Sequence, residues 1–497
     1  MTGVQTCALP ISLRPGGLRA GPPVADRPAR LPGMAHRGVV DQDPRGRGGA
    51  PRPRPAANTG SEPHGVRDGR ALAVPGPDAH ADPGSQPQPR PNAHADPVTR
   101  HPALTPAGGG PSAAVPGRRP IRGAASRRRH HRQMSGTAPA GTRADVVDVA
   151  RHNVAVEISE DSLQAMAASR AHIDAMAHSA TPVYGVSTGF GALATRHISP
   201  DDRTQLQRSL IRSHAAGTGD PVEREVVRAM MFLRLKTLCS GRTGVRPVVA
   251  QTMAALLNAG ITPLVREFGS LGCSGDLAPL SACALVLMGE GDAVDAAGVQ
   301  RPVPELLADA GIAAVELREK EGLALINGTD GMLGMLILAI ADVEHLVNAA
   351  DVVAAMSVEA LLGTDAVFIP ELHEPLRPHP GQTISAARML AALKGSGIVA
   401  SHKENDDRVQ DAYSLRCAPQ VAGGLRDTLT HCALVAEREL AATIDNPVVL
   451  DDARLSSNGN FHGAPIAYVL DFLAVPMADL ASMSERRTDR MLDRHRS

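Results

Sequence analysis

Tryptophan is absent from this 497-residue chain, and aromatic residues of any kind are few, with three Tyr and six Phe. Aliphatic side chains and alanine must therefore fill its core. Lysine is almost as scarce: Lys236, Lys320, Lys394 and Lys403 stand against 47 arginines, a bias that fits a high-GC genome. The six cysteines include no Cys-x-x-Cys pair, which excludes the usual zinc-ligand spacing. They also make no disulfide framework, so reduced thiols and a cytoplasmic location are expected. No basic segment followed by an apolar one opens the chain, so no secretory leader is read. No uncharged apolar run reaches membrane-spanning length, so no membrane partner is expected. A phosphate-binding glycine loop, a dinucleotide fingerprint and internal repeats are likewise missing.

The formal net charge of −1 hides two different segments. Residues 1–133 hold 20 Arg, no Lys, 8 acidic residues and 23 of the 40 prolines, about +12 in charge. Such a composition cannot bury enough apolar surface to offset chain entropy and reads as disordered. Runs such as Arg127-Arg-Arg-His-His-Arg132 can meet phosphates, but no specific nucleic-acid partner is expected. The opening Met1-Thr-Gly-Val-Gln-Thr-Cys-Ala-Leu-Pro-Ile11 looks like translated sequencing adapter. The Arg/Pro/Gly/Ala-rich stretch after Ile11 reads like GC-rich DNA translated out of frame, so 1–133 is taken as non-native and Met134 as the natural start. Residues 134–497 carry about −13 and are read as the functional domain.

Within that domain helix signals dominate. Ser199-Pro200-Asp201-Asp202 reads as a capped start with proline at the first helical position, running to His214 and stopping near Gly217. A second helix begins after Pro221 and stops near Gly241. Others are expected over 247–257 and 276–288, and a long apolar one over 329–362, broken once. No alternating run is long enough for a main sheet. The fold class is mostly α, a bundle of long helices.

The chemistry concentrates in Phe268-Gly-Ser-Leu-Gly-Cys-Ser-Gly-Asp-Leu-Ala-Pro-Leu280. One reading of Cys273-Ser274-Gly275-Asp276 is a plain helix entry capped by Ser274 or Asp276. The other exploits the missing Cβ of Gly275, whose nitrogen can reach the carbonyl carbon of Cys273 and close a five-membered ring. Loss of water from Ser274 then leaves an exocyclic methylidene. Ordinary side chains offer no electron sink, so a chain that needs one must bind it or make it.

This segment resembles the signature of the histidine/phenylalanine ammonia-lyase family, whose members form a 4-methylidene-imidazol-5-one (MIO) from Ala-Ser-Gly. Here Cys273 stands in place of the alanine and gives the ring only backbone atoms and its α-carbon. Five more blocks follow the family's order: Tyr184-Gly-Val-Ser-Thr-Gly-Phe-Gly191, Ser213-His-Ala-Ala-Gly217, Asn327-Gly-Thr329, Gln410-Asp-Ala-Tyr-Ser-Leu-Arg416 and Gly459-Asn-Phe-His462. The resemblance covers roughly 140–497. It implies the helical bundle of the ammonia-lyase/fumarase type and elimination of ammonia from an amino acid without metal or nucleotide.

By the same resemblance Tyr184 is the base for the β-proton, and Cys273, Ser274 and Gly275 form the ring. Asn327, Gln410 and Tyr413 surround the ring and the substrate carboxylate. Arg416 offers that carboxylate its planar fork, and Phe461 walls the pocket. His214 points to histidine as substrate, with urocanate as product. Phenylalanine or tyrosine ammonia-lyase and aminomutase chemistry stand as alternatives, and an inactive fragment as the non-enzyme one. Members are homotetramers with sites drawn from several subunits, so Tyr184, the ring and Arg416 need not meet in one chain. Two departures stand out. Ala282 replaces a usual histidine, and the chain stops where members continue into a Gln-Glu-Asp-His-type segment that recognises imidazole. The chain as written is therefore expected to be inactive.

Overall fold

The computed structural model describes residues 141–493, except 180, 192, 193, 405 and 407, together with the backbone of 132–134. The expectations for the tail thus fall almost wholly outside the described residues. Its last two positions enter a short strand, β1 (Arg132–Met134), which pairs in parallel with β2 (Val156–Ile158).

Helices build nearly everything else. The first five are α1 (Arg143–Arg151), α2 (Glu160–Ala177), α3 (Arg203–His214), α4 (Arg224–Leu238) and α5 (Pro247–Ala259). Then come α6 (Leu277–Leu287), α7 (Val303–Asp309), α8 (Glu321–Ile326), α9 (Asp330–Ala360) and α10 (Pro380–Leu393). The series ends with α11 (Gly397–Ser401), α12 (Tyr413–Arg416), α13 (Ala418–Ala441) and α14 (Ala464–Leu492). Local chemistry sets several ends. Thr142 and Asp145 cap α1 reciprocally. Pro247 opens α5, and Gly260, left-handed at φ +74°, closes it. Pro200–Asp202 forms a 3-10 turn leading into α3, close to the expected start. The Ser199 side chain caps no backbone N–H there; its hydroxyl donates to the Asp202 carboxylate at 2.7 Å.

The long helix α9 runs unbroken for 31 residues, contrary to the expected interruption. No glycine or proline follows Gly334 to break it. Its polar Asp351 is buried and receives Arg388 and Arg426 from α10 and α13, so a charge in mid-helix is paired rather than disruptive. Around α9 pack α4, α10, α13 and α14. Its first half lies in the main core with α4, α5 and α6; its last turns lie in a second core with Phe368, Met389 and Leu415.

The sheets are small, as expected. Three matter for the site. β3 (Thr218–Pro221) pairs antiparallel with β5 (Arg266–Phe268). β4 (Thr262–Pro263), β6 (Asp292–Val294) and β7 (Gln300–Pro302) form a three-stranded sheet. β8 (Val448–Val449) and β9 (Leu455–Ser456) form a hairpin. Glu321–Ala360 and α14 are long and apolar enough to cross a membrane by composition. The first is 89% buried over its apolar window and serves as core; that of α14 is 22% buried. Tyr468, Phe472 and Val475 stand exposed along α14.

Candidate active site

The sequence-predicted turn precedes α6 and is pressed into the body of the protein. Gly275 is left-handed at φ +78°, and a Cβ there would lie 2.4 Å from the carbonyl oxygen of Gly328 and 3.2 Å from that of Phe461. Only glycine fits such a place. The N–H of Gly275 folds back to the carbonyl of Gly272 at 3.3 Å, bracketing Cys273 and Ser274 in one tight turn. Asp276 N–H donates to Gly328 at 2.7 Å, and Gly463 N–H to Gly272 at 2.8 Å. The Asn327–Thr329 and Gly459–His462 blocks are therefore stitched to either side of the turn. A backbone ring between Cys273 and Gly275 fits this cradle, where no side chain at 275 would.

Asp276 acts differently from the expected helix cap. It makes no side-chain bond to α6. Its carboxylate instead accepts the N–H groups of Gly331 and Met332 at 2.8 and 3.1 Å, capping α9, and the Ser270 hydroxyl at 2.6 Å. Burial pushes its pKa up to about 6, against the pull of these hydrogen bonds.

Tyr184 is half-buried and packs edge-on to Phe190, with ring centroids 6.4 Å apart. Gly185, at φ +76°, sits over Leu323, Pro447 and the stem of Lys320. Asn327 ends α8, and its side-chain N–H donates to Asn446 at 2.8 Å. His214 ends α3, held through Nδ1 by the Leu210 carbonyl at 2.9 Å. Pairing of β3 with β5 then lays Gly217 against Gly269, which borders Ala278 and Pro279 of α6. Ala282 is half-buried against the main core.

The remaining predicted residues lie elsewhere. Tyr413 and Arg416 occupy α12, the guanidinium 4.5 Å above the phenol ring, and Arg416 donates to the Asp411 carbonyl at 3.0 Å. Gln410 is exposed just before them. Leu415 packs with Ala354 and Val358 near the end of α9, whereas Asp276 grips its start. At about 1.5 Å per residue, the two groups stand roughly 35–40 Å apart along one helix. One chain thus holds the predicted residues as two separate groups.

Sequence reasoning missed the buried charges beneath the first group. Arg234, fully buried, donates to the carbonyls of Ala324, Asn327 and Ile444 and pairs with Asp330 at 3.2 Å. Lys320 and Asp445, both buried, meet at 2.6 Å. Burial draws Lys320 down and Asp445 up, and their contact opposes both shifts. The only sequence signals were the rarity of lysine and the Asp445-Asn-Pro447 turn. Among the described residues no cluster of His, Cys, Asp and Glu could hold a metal ion.

A protein from Streptomyces coelicolor named histidine ammonia-lyase is 67% identical, over 74% of this chain and 71% of that protein. A tyrosine ammonia-lyase of Cupriavidus metallidurans is 42% identical, over 70% of this chain and 69% of that protein. Among solved structures, the tyrosine aminomutase of Streptomyces globisporus superposes with TM-score 0.67 at 36% identity, covering 73% of this chain and 71% of that one. The family model for aromatic amino acid lyases matches residues 142–497. With most of the described chain matched, and a turn that only a glycine-centred backbone can fill, this protein belongs to the aromatic amino acid lyase family and is a carbon–nitrogen lyase.

Proposed function

We propose that the chain, despite the inactivity expected from its sequence, eliminates ammonia from L-histidine to give urocanate, using an electrophile closed from its own Cys273, Ser274 and Gly275. The observation that carries this is the Gly275 turn, left-handed and pressed between the Gly328 and Phe461 carbonyls. The histidine assignment draws on His214, which ends α3 three residues before the Gly217 that packs against Gly269, and on the name of the 67%-identical relative. Once formed, the ring supplies an electron sink for the substrate amine.

The chain's side chains do the rest. Tyr184 takes the β-proton as general base. Asn327, its amide hydrogen held by the Asn446 carbonyl, hydrogen-bonds the ring. His214 hydrogen-bonds the imidazole, and Phe461 closes the pocket wall. Gln410, Tyr413 and Arg416 come from a second copy, because they lie at the far end of α9, and Arg416 takes the carboxylate bidentately. Such sharing requires assembly, a homotetramer in our reading. Val352, Val353 and Met356 on α9 and Tyr468, Phe472 and Val475 on α14 expose the apolar faces for it. We assign this activity to residues 134–497 and place the enzyme in the cytoplasm. The unpaired thiols of Cys239, Cys273, Cys283, Cys417 and Cys432 accord with a reducing compartment.

Peptide mass spectrometry tests the electrophile. The Cys273-Ser274-Gly275 peptide should be lighter by two waters, and Ser274→Ala should abolish the methylidene while leaving the fold intact. An unmodified tripeptide in protein that turns over histidine would remove the mechanism.

A further inference from the structure

The segment Asp445-Asn446-Pro447 meets three parts of the first group: the Tyr184 loop, Asn327 and the loop that leads to Phe461. Asp445 binds Lys320 through Oδ2 at 2.6 Å, and its Oδ1 accepts the N–H of Asn446 at 2.8 Å. The Asn446 carbonyl takes the side-chain N–H of Asn327 at 2.8 Å. Asn458, returned by the β8–β9 hairpin, donates its backbone N–H to the Asn446 side chain and its own amide to the Asp445 carbonyl, both at 2.9 Å. Asn458 in turn accepts Asn460 N–H at 2.9 Å, next in the chain to Phe461, whose carbonyl presses on Gly275. On the other side, Pro447 and the stem of Lys320 form the floor under Gly185, next to Tyr184. Lys320 stands at the start of α8 in the left-handed region, φ +71°, and Asn327 stands at its end.

We infer that the buried Lys320–Asp445 pair is a positioning device that holds the Tyr184 loop, Asn327 and the Asn458–Phe461 loop in one register. A charged pair with no access to solvent is a poor source of net stability, since desolvation offsets attraction. It is, however, directional. Removing it frees Asp445 to rotate and with it the carbonyls that fix Asn327 and Asn458. The frame itself survives such a loss, because Arg234 independently ties Ala324, Asn327 and Ile444 together. The inference rests on reading Tyr184, Asn327 and Phe461 as site residues.

The test is the double variant Lys320→Met with Asp445→Asn, which leaves no unpaired buried charge and keeps an acceptor for Asn446 N–H. Hydrogen exchange should quicken by about tenfold or more in 183–191, 325–332 and 458–463 and stay at the parental rate in α5. Parental exchange in those three segments, or equal acceleration everywhere, overturns the inference. In turnover, kcat should fall roughly tenfold or more while KM stays within about threefold; an unchanged kcat overturns it as well. Should the double variant not fold, Asn458→Ala removes the strap alone. It should keep the parental melting temperature yet loosen 325–332 and 458–463, and parental exchange there is the contrary result. If the parent converts no histidine, the proposed function fails, while the exchange comparison still decides this inference.

Discussion

Two glycines flank the reactive serine, and both are left-handed, so one serves as the control for the other. Gly272 has φ +62° and nothing within 4 Å of the place a Cβ would take. Gly275 has φ +78° and would put its Cβ 2.4 Å from the Gly328 oxygen and 3.2 Å from its carbon. Alanine at 272 should cost only the left-handed conformation, about 1–2 kcal/mol. Alanine at 275 adds overpacking of about 1–3 kcal/mol. The obstructing oxygen is backbone and already accepts Asp276 N–H at 2.7 Å, so it cannot swing aside. Gly275→Ala should therefore destabilise by about 2–5 kcal/mol, some 2 kcal/mol more than Gly272→Ala. Denaturant titration of both, read at equal m-value, measures the difference. Gly275→Ala should also fail to lose two waters at the tripeptide. Equal midpoints for the two variants would refute the crowded cradle, and with it the structural reason that only glycine closes the turn.

The same geometry sets other expectations. The folded Asp276 pKa is raised from 3.8 to about 6, so between those values the folded state holds a proton that the unfolded chain has released. Stability should fall by up to about 3 kcal/mol as pH rises through that window and level off above it. Asp276→Asn should flatten this slope, as followed by melting temperature against pH. Ser274→Ala and Arg416→Met chains, each inactive alone, should recover turnover when co-expressed, if the proposed site is shared between copies; no recovery would argue against shared sites. Phe472→Asp, on the exposed face of α14, should lower the oligomer mass in light scattering. Deleting residues 1–131, which spares β1 and its pairing with β2, should leave turnover and melting temperature at parental values.

Local signals were legible in the sequence because their causes are local. The helix ending at His214, the Pro247 start and the apolar stretch opening at Thr329 all appear within a few residues of expectation. The turn at Cys273–Asp276 was legible as a glycine-dependent backbone feature. What joins distant segments was not. Lys320 and Asp445 are 125 residues apart, and nothing in either neighbourhood announces the other. Asp276 invited reading as a cap for the helix it begins, yet it caps α9, which only the placement of the turn against the start of α9 reveals. The break expected in α9 does not occur; Arg388 and Arg426, brought by two later helices, pair the buried Asp351 that would otherwise disrupt it. The separation of Arg416 from Ser274 likewise depends on α9 running unbroken between them.

The central claim is that this chain is a lyase whose base and electrophile act on histidine. It is tested most directly by incubating the protein with L-histidine, L-tyrosine and L-phenylalanine in parallel and identifying products by chromatography and mass. The account predicts ammonia and urocanate from histidine, with no activity in the Ser274→Ala variant. Coumarate, cinnamate or a β-amino acid in place of urocanate, or urocanate formed equally by Ser274→Ala, would contradict it.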